Sequence, residues 1–330
     1  MICPTSPQGS SSSAIISYSG SDGFEEATTR SSSFHSPGIS VVVVPSTPAG
    51  AAQTSLEIKY ATSDLWWAIQ GAGHDFGIIT SIERLYETLK KIMNDGSPPL
   101  DVKIYGFFLI DPSISTWDPV TMLWVLQEGS TSVDSAHTGA LHALGPATVD
   151  RGNGNYLDLA RWTGMSNADP PCQNSGFDKT RFPIDIRSYN VQAMRKVYDH
   201  FASATRQTPG LNASLFLIED YTLQRMKTVR SESTAYPFRT DNLLVAPVMR
   251  WQHSGGPELT QQAVDLGTEL RSIIHEATGE PELHTYVNYA FGDETQKNWY
   301  GYEQWRQNRL RGLKQKYDPQ HRFSFYVPIA

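Results

Sequence analysis

Gly71, Gly73 and Gly77, three glycines in seven positions of GAGHDFG, are the most chemically suggestive spacing in the sequence. Glycine clusters let a backbone approach a phosphate closely or turn tightly. A dinucleotide fingerprint needs a strand, then the glycine turn, then a helix. Here helix-like DLWWAIQ precedes the glycines and strand-like GIITS follows them. The spacing departs from G-x-G-x-x-G, and no Lys-Ser/Thr pair completes a phosphate-cradling loop. A tight helix-to-strand turn remains, with close approach to a ligand as the second option. His74 and Asp75 are adjacent and read either as a catalytic pair or, preferably, as turn residues at a rim. Glu219 and Asp220 close an apolar run, as cleft carboxylates or, the favoured reading, as an exposed strand end. Nine histidines are scattered without H-E-x-x-H, and C-x-x-C is absent, so no metal site is expected. G-x-S-x-G is absent too, which leaves hydrolase chemistry without a local signature.

The 330 residues are 39% hydrophobic and carry a formal charge of −7, an ordinary globular balance. The basic excess of a nucleic-acid binder is missing, so no nucleic-acid partner is expected. Two cysteines, Cys3 and Cys172, do not make a disulfide framework. No apolar run is long enough to span a membrane. The first residues lack a basic start followed by an apolar core, which predicts an intracellular chain as written. The N-A-S sequon at Asn212 is then coincidental. Oligomeric state is not legible.

These residues need elements to position them. Residues 1–54 read as disordered or atypical, because Ser, Gly and Thr dominate the first 38 and cannot bury enough apolar surface. GISVVVVPS has strand composition but no evident partner. Strands are expected at TSLEIKYAT, GIITSIERLYE, VKIYGFFLI, ASLFLIED, NLLVAPVMRW and LHTYVNYAF. SDLWWAIQGAG reads as a short helix. Val191, Met194, Val197 and Phe201 recur at helical spacing. So do Leu259, Ala263, Leu266, Leu270, Ile273 and Ala277, between Pro257 and a Gly279 cap. Leu310, Leu313 and Tyr317 mark one face of a third helix within NWYGYEQWRQNRLRGLKQKYDP, which ends in solvated Lys314–Lys316. Strands and helices mix without regular βαβ alternation. The class is therefore α+β: a mostly antiparallel sheet with helices on one face.

DLWWAIQGAGHDFGIITS closely resembles a segment of FAD-linked oxidases of the berberine bridge enzyme-like group, D-L-F/W-W-A-x-x-G-x-G-x-N-F-G-I/V-V/I-T-S. ESTAYPFR, residues 232–239, is similar to that family's T-A-x-P-x-R segment. HTYVNYAFGDE, with WRQNRLRGLKQKYDPQHRFSFYVPI after it, resembles the family's C-terminal segment, where Y-x-N-Y precedes a helix ending K-x-K-Y-D-P. The resemblance covers residues 55–330. It implies FAD as cofactor and a small molecule as substrate. It implies an edge of the FAD-binding (PCMH-type) domain at 55–90, a substrate domain at 91–280 and a berberine bridge-like segment at 281–330. Gly71, Gly73, Phe76, Gly77 and Ile78 would lie against the flavin. Tyr286 and Tyr289 would be catalytic and Asn288 a cofactor contact, on a strand facing the ring. A tyrosine can act there as a base once its pKa is lowered, and an amide can hold a ring or substrate oxygen. Asp75 departs from the family's Asn.

Residues 1–60 hold no Gly-Gly-His, and Cys3 lacks a glycine-bearing loop. A shortened flavin half is therefore expected. The family implies oxidation of a small secondary metabolite by hydride transfer to FAD, with dioxygen reoxidising the flavin. A flavin-independent cyclase and a non-catalytic binding protein, each using the same cleft, are the alternatives.

Overall fold

The structure is a computed structural model that describes residues 15–18, 41–44, 82–94, 99–169, 172, 176–241, 243–322 and 324–330. The chain divides into two units, Met1–Ile82 with Gly139–Arg151, and Glu83–Thr138 with Gly152–Ala330. In the first, Ile15–Tyr18 (β1) pairs antiparallel with Val41–Val44 (β2), Ile15 opposite Val44. The valine run thus has a partner, and the disordered reading is corrected for Ile15–Tyr18. TSLEIKYAT, SDLWWAIQGAG and the candidates Gly71, Gly73, His74, Asp75, Phe76, Gly77 and Ile78 lie outside the described residues.

The second unit begins with a correction. Ile82–Asn94 (α1) is a helix, where GIITSIERLYE reads as a strand. Ile82, Leu85, Tyr86 and Leu89 sit at i, i+3, i+4 and i+7, and Tyr86 and Leu89 are buried. That period outweighs the β-branched residues just before it. Val102–Leu109 (β3) and Val120–Gln127 (β4) follow, then two short helices, Ser135–His142 (α2) and Leu159–Trp162 (α3). Phe177–Arg181 (β5) and Ile184–Ile186 (β6) lead into the helix Val191–Gln207 (α4). Leu215–Asp220 (β7), Gln224–Thr228 (α5), Leu243–Gln252 (β8) and Gly256–Thr278 (α6) come next. Gln296–Tyr300 (α7) and Gln304–Tyr317 (α8) close the chain. The expected single C-terminal helix is broken at Gly301, whose φ of 90° suits glycine. α8 buries Arg306 and Gln307, whereas Leu313 and Tyr317 are exposed. Lys314 is not solvated, because its side chain is mostly covered and pairs with Asp318.

The six-stranded sheet is antiparallel throughout, in the order β4-β3-β7-β8-β5, with β6 also paired to β8. One face carries α4 and α6. Phe108 stacks on Phe216 at 4.8 Å and meets Phe201 of α4 edge-on at 5.3 Å. Trp251 donates its indole N–H to Thr260 of α6 at 3.0 Å. Each such ring contributes roughly 1.5–3 kcal/mol by leaving water. Helix α6 approaches this layer at Gly267, where a Cβ would lie 2.2 Å from the Phe182 ring. Its end is the expected one, with Gly279 left-handed at φ 70° and its N–H on the Glu276 carbonyl.

Strand alternation sends neighbouring residues of β7 to opposite faces. Phe216, Ile218 and Asp220 point to the helices, and Leu217 and Glu219 point away. Asp220 is therefore buried beside Tyr189, and among the described residues neither of its carboxyl oxygens has a hydrogen-bond partner. Burial pushes its pKa up from 3.8 to about 8. An acid whose folded pKa exceeds its unfolded value weakens the fold as pH rises between the two. Asp220→Asn is expected to remove that loss. Its melting temperature should exceed the parent's by a margin that widens from about pH 4 to about pH 8 and then levels off. A margin that stays constant across pH in thermal melts contradicts the burial of this acid.

Candidate active site

The sheet face away from the helices gathers an acid and several phenols. Glu219 on β7 lies opposite Tyr105 of β3 and Leu244 of β8 in the strand register. The Tyr289 hydroxyl donates to one Glu219 carboxyl oxygen at 3.0 Å, and the Tyr221 hydroxyl donates to the other at 2.8 Å. Arg181, at the end of β5, places its guanidinium carbon 4.9 Å from the Tyr289 ring centre. Tyr286 meets Tyr289 edge-on at 5.3 Å, and the Asn288 amide donates to the Tyr286 hydroxyl at 2.8 Å. Tyr105 in turn contacts Trp124 of β4, with centroids 5.6 Å apart.

Residues 286–289 are held by their surroundings rather than by strand pairing. LHTYVNYAF is expected as a strand, but Val287–Tyr289 forms a 3-10 turn. Tyr326 closes the turn from outside, its hydroxyl donating to the Val287 and Ala290 carbonyls at 3.1 and 2.8 Å. Upstream, the Thr285 N–H donates to the Asn298 carbonyl at 3.0 Å, and the Asn298 amide donates to the Leu283 carbonyl, also at 3.0 Å. Downstream, Arg271 of α6 grips Asp293 at 2.6 Å and Glu294 at 2.8 Å. ESTAYPFR is likewise pinned, because buried Arg306 of α8 donates to the Thr234 carbonyl at 3.0 Å and to the Ser231 hydroxyl at 2.6 Å. Phe238 stacks on His284 at 4.1 Å, and His284 lies 2.7 Å from Asp241.

The electrostatics divide the roles. Burial raises the Glu219 carboxyl pKa, while the two phenol hydrogen bonds and Arg181 pull it back part of the way. That leaves an acid closer to neutrality than a surface glutamate, a condition suited to general-base work. Burial and the neighbouring Glu219 push the Tyr289 phenol up, and Tyr105 and Tyr221 shift the same way for the same reasons. A Tyr289 base with a lowered pKa is therefore not what the structure provides. Tyr289 is a donor to Glu219, and Glu219 is the acceptor.

Tyr286, Asn288 and Tyr289 do come together as the sequence suggests. Glu219 is buried at 4% exposure, which overturns its reading as an exposed strand end, and Asp220 is buried on the other face. Tyr105, Tyr221 and Arg181 escape the sequence reading. Period-2 alternation in VKIYGFFLI and FDKTR places Tyr105 and Arg181 off the helix-packed face, which was the available signal. Among the described residues, no group of three or more His, Cys, Asp or Glu side chains could hold a metal ion. Among the same residues, no helix is long and apolar enough to cross a membrane.

Residues 285–330 match the family described as berberine and berberine like. The FAD-linked oxidoreductase chyH of Penicillium rubens is 40% identical over 295 residues, 82% of this chain and 59% of that protein. The FAD-linked oxidoreductase chry5 of Gibberella zeae is 40% identical over 293 residues, 81% of this chain and 58% of that protein. The chain thus spans less than two thirds of the length of these curated relatives. Among solved structures, BBE-like #28 from Arabidopsis thaliana gives a TM-score of 0.57 at 12% identity, covering 76% of this chain and 55% of that one. CrmK, a flavoenzyme involved in the shunt product recycling mechanism in caerulomycin biosynthesis, gives 0.55 at 18% identity, covering 74% and 50%. At these identities the likeness is one of fold, and it agrees with the expected α+β class.

Two outcomes follow from this geometry. Tyr289→Phe and Tyr221→Phe each delete a donor that lowers the Glu219 pKa. Each should move that carboxyl titration upward in carbon-detected NMR, and the double variant further still. An unmoved titration would contradict the hydrogen bonds. Arg271→Met leaves Glu294 buried without its cation and is expected to cost about 3–5 kcal/mol in denaturant unfolding.

Proposed function

The chain belongs to the berberine bridge enzyme-like family of FAD-linked oxidoreductases, and from that premise we propose that it supplies the substrate side of a site that oxidises a small secondary metabolite. The observation that carries the reading is one buried carboxylate held by two phenols on the sheet face opposite α4 and α6. The described residues fit the reacting end of a flavin. Tyr286 and Tyr289 offer half-buried rings against which a flat heterocycle can pack, and exposed Asn288 offers an amide at the rim. Gly71, Gly73, Phe76, Gly77 and Ile78 are proposed for the remainder of the cofactor on family resemblance alone. A flavin held there would supply hydride acceptance, with dioxygen as the final electron acceptor.

The chain's own residues handle the proton. Tyr289 gives its hydroxyl proton to Glu219 as the phenol oxygen takes one from a substrate O–H or N–H. Tyr221 holds the other Glu219 oxygen and fixes the carboxyl plane. Arg181 over the Tyr289 ring favours the negative charge that builds on the phenol oxygen during transfer.

The test starts with the purified chain, mixed with FAD and desalted, with visible absorbance reporting retained flavin. Anaerobic addition of hydroxylated or amino-substituted fungal metabolites should then bleach that absorbance. Glu219→Gln should retain as much flavin but bleach roughly 10²–10⁴-fold more slowly. Failure to retain flavin, or bleaching at the parent rate by the variant, would count against the proposal.

A further inference from the structure

A cavity of about 440 Å³ opens on the same sheet face as Glu219, farther along β3 and β4. Its floor is Phe107, Met122, Trp124 and Leu215, all side chains that strand alternation turns away from the helices. Its other wall is the end of α3 and the segment after it, which contribute Trp162 and Met165. This segment has a fixed start, since Asn155 and Asp158 form a reciprocal capping box, and a fixed bend at Gly164, with φ of 67°. Met122, Trp124 and Leu215 are only half-buried, so apolar surface remains open to the cavity. Sites of this size hold ordinary small organic ligands.

The lining also selects a class. The Phe107 and Trp124 rings lie 5.3 Å apart and inclined by 46°, so they present both faces and edges to an occupant. Two methionines adapt to a flat ring and favour contact with it. Two arginines, Arg161 and Arg250, belong to the same lining. Arg161 is paired with Asp158 at 2.8 Å, and Arg250 lies over the Phe177 ring at 4.1 Å. Cations at an apolar wall favour an electron-rich ring and an oxygen substituent on it. The cavity adjoins the acid: Trp124 touches Tyr105, and Tyr105 sits opposite Glu219 in the register.

We propose that this cavity is a recognition subsite for a planar, oxygen-bearing aromatic ring, and that a ring seated there directs its adjoining group toward Glu219 and Tyr289. The direction toward Glu219 rests on the oxidation reading, whereas the binding does not. The whole chain, without added flavin, is titrated calorimetrically with 2-naphthol and with its saturated counterpart decahydro-2-naphthol. One 2-naphthol should bind per chain, about tenfold more tightly than the saturated alcohol. Ala213→Trp fills the cavity and should abolish the binding. Trp162→Ala, on the covering segment, should weaken it about tenfold. Equal affinity for the two alcohols, no binding of either, or parent-like binding by Trp162→Ala overturns the assignment. Circular dichroism identifies a misfolded Ala213→Trp, in which case Trp162→Ala decides. Naphthol binding by a chain that retains no flavin upholds the subsite while the oxidation reading falls.

Discussion

The ion pair between Arg271 and Glu294 is the constraint on which the site's geometry depends. The Glu294 side chain is completely buried, and an unpaired carboxylate there would cost several kcal/mol. It is satisfied by Arg271 at 2.8 Å, the N–H groups of Phe291 and Gly292 at 3.2 and 2.8 Å, and the Trp299 indole at 3.2 Å. Those donors come from α6, from the loop after Tyr289 and from α7. Satisfying one acid therefore fixes where the chain leaves the sheet, and with it where Tyr286 and Tyr289 stand. The small cluster of Ala290, Trp299 and Val327 packs behind the same turn and adds apolar burial to it.

The sheet separates stability from chemistry by strand parity. The helix-side face is a close-packed aromatic and aliphatic layer, with Asp220 the polar side chain that β7 contributes to it. The opposite face is half-buried and polar at Glu219, then apolar farther along at Phe107 and Trp124. Both carboxyls of β7 are desolvated, but only Glu219 has phenols and a guanidinium to temper the effect. Adjacent acids on one strand thus acquire different titration behaviour from the partners each face supplies.

The sheet strands over 102–109, 215–220 and 243–252, and the helices over 191–207 and 256–278, were legible in the sequence, because their periods are long and their caps clear. Strands β4, β5 and β6 drew no expectation, and two further segments took a form other than the expected strand. The helix at 82–94 follows a β-branched stretch, and its Ile82, Leu85, Tyr86, Leu89 period is short beside that signal. YVNY has strand composition, yet Tyr326 holds its Val287 carbonyl and Asn298 holds the Thr285 N–H just before it, which no local pattern indicates. Tyr286 and Tyr289 were found through family resemblance, whereas Tyr105 and Tyr221 were not. The burial of Glu219 was not found, because a strand end looks exposed until a turn from elsewhere in the chain covers it. The burial of Arg306 was not legible for the same reason. Its acceptors include the Thr234 carbonyl and the Ser231 hydroxyl, 72 and 75 positions earlier.

The hydrogen bond from Tyr289 to Glu219 joins residues 70 positions apart. Closing so long a loop costs entropy that is recovered only when the distant contact forms. The strands through β8 precede residues 285–330 in the chain, so during synthesis Glu219 is made beside Tyr221 and before Tyr289. The second donor to the acid thus comes from the segment made after the sheet strands.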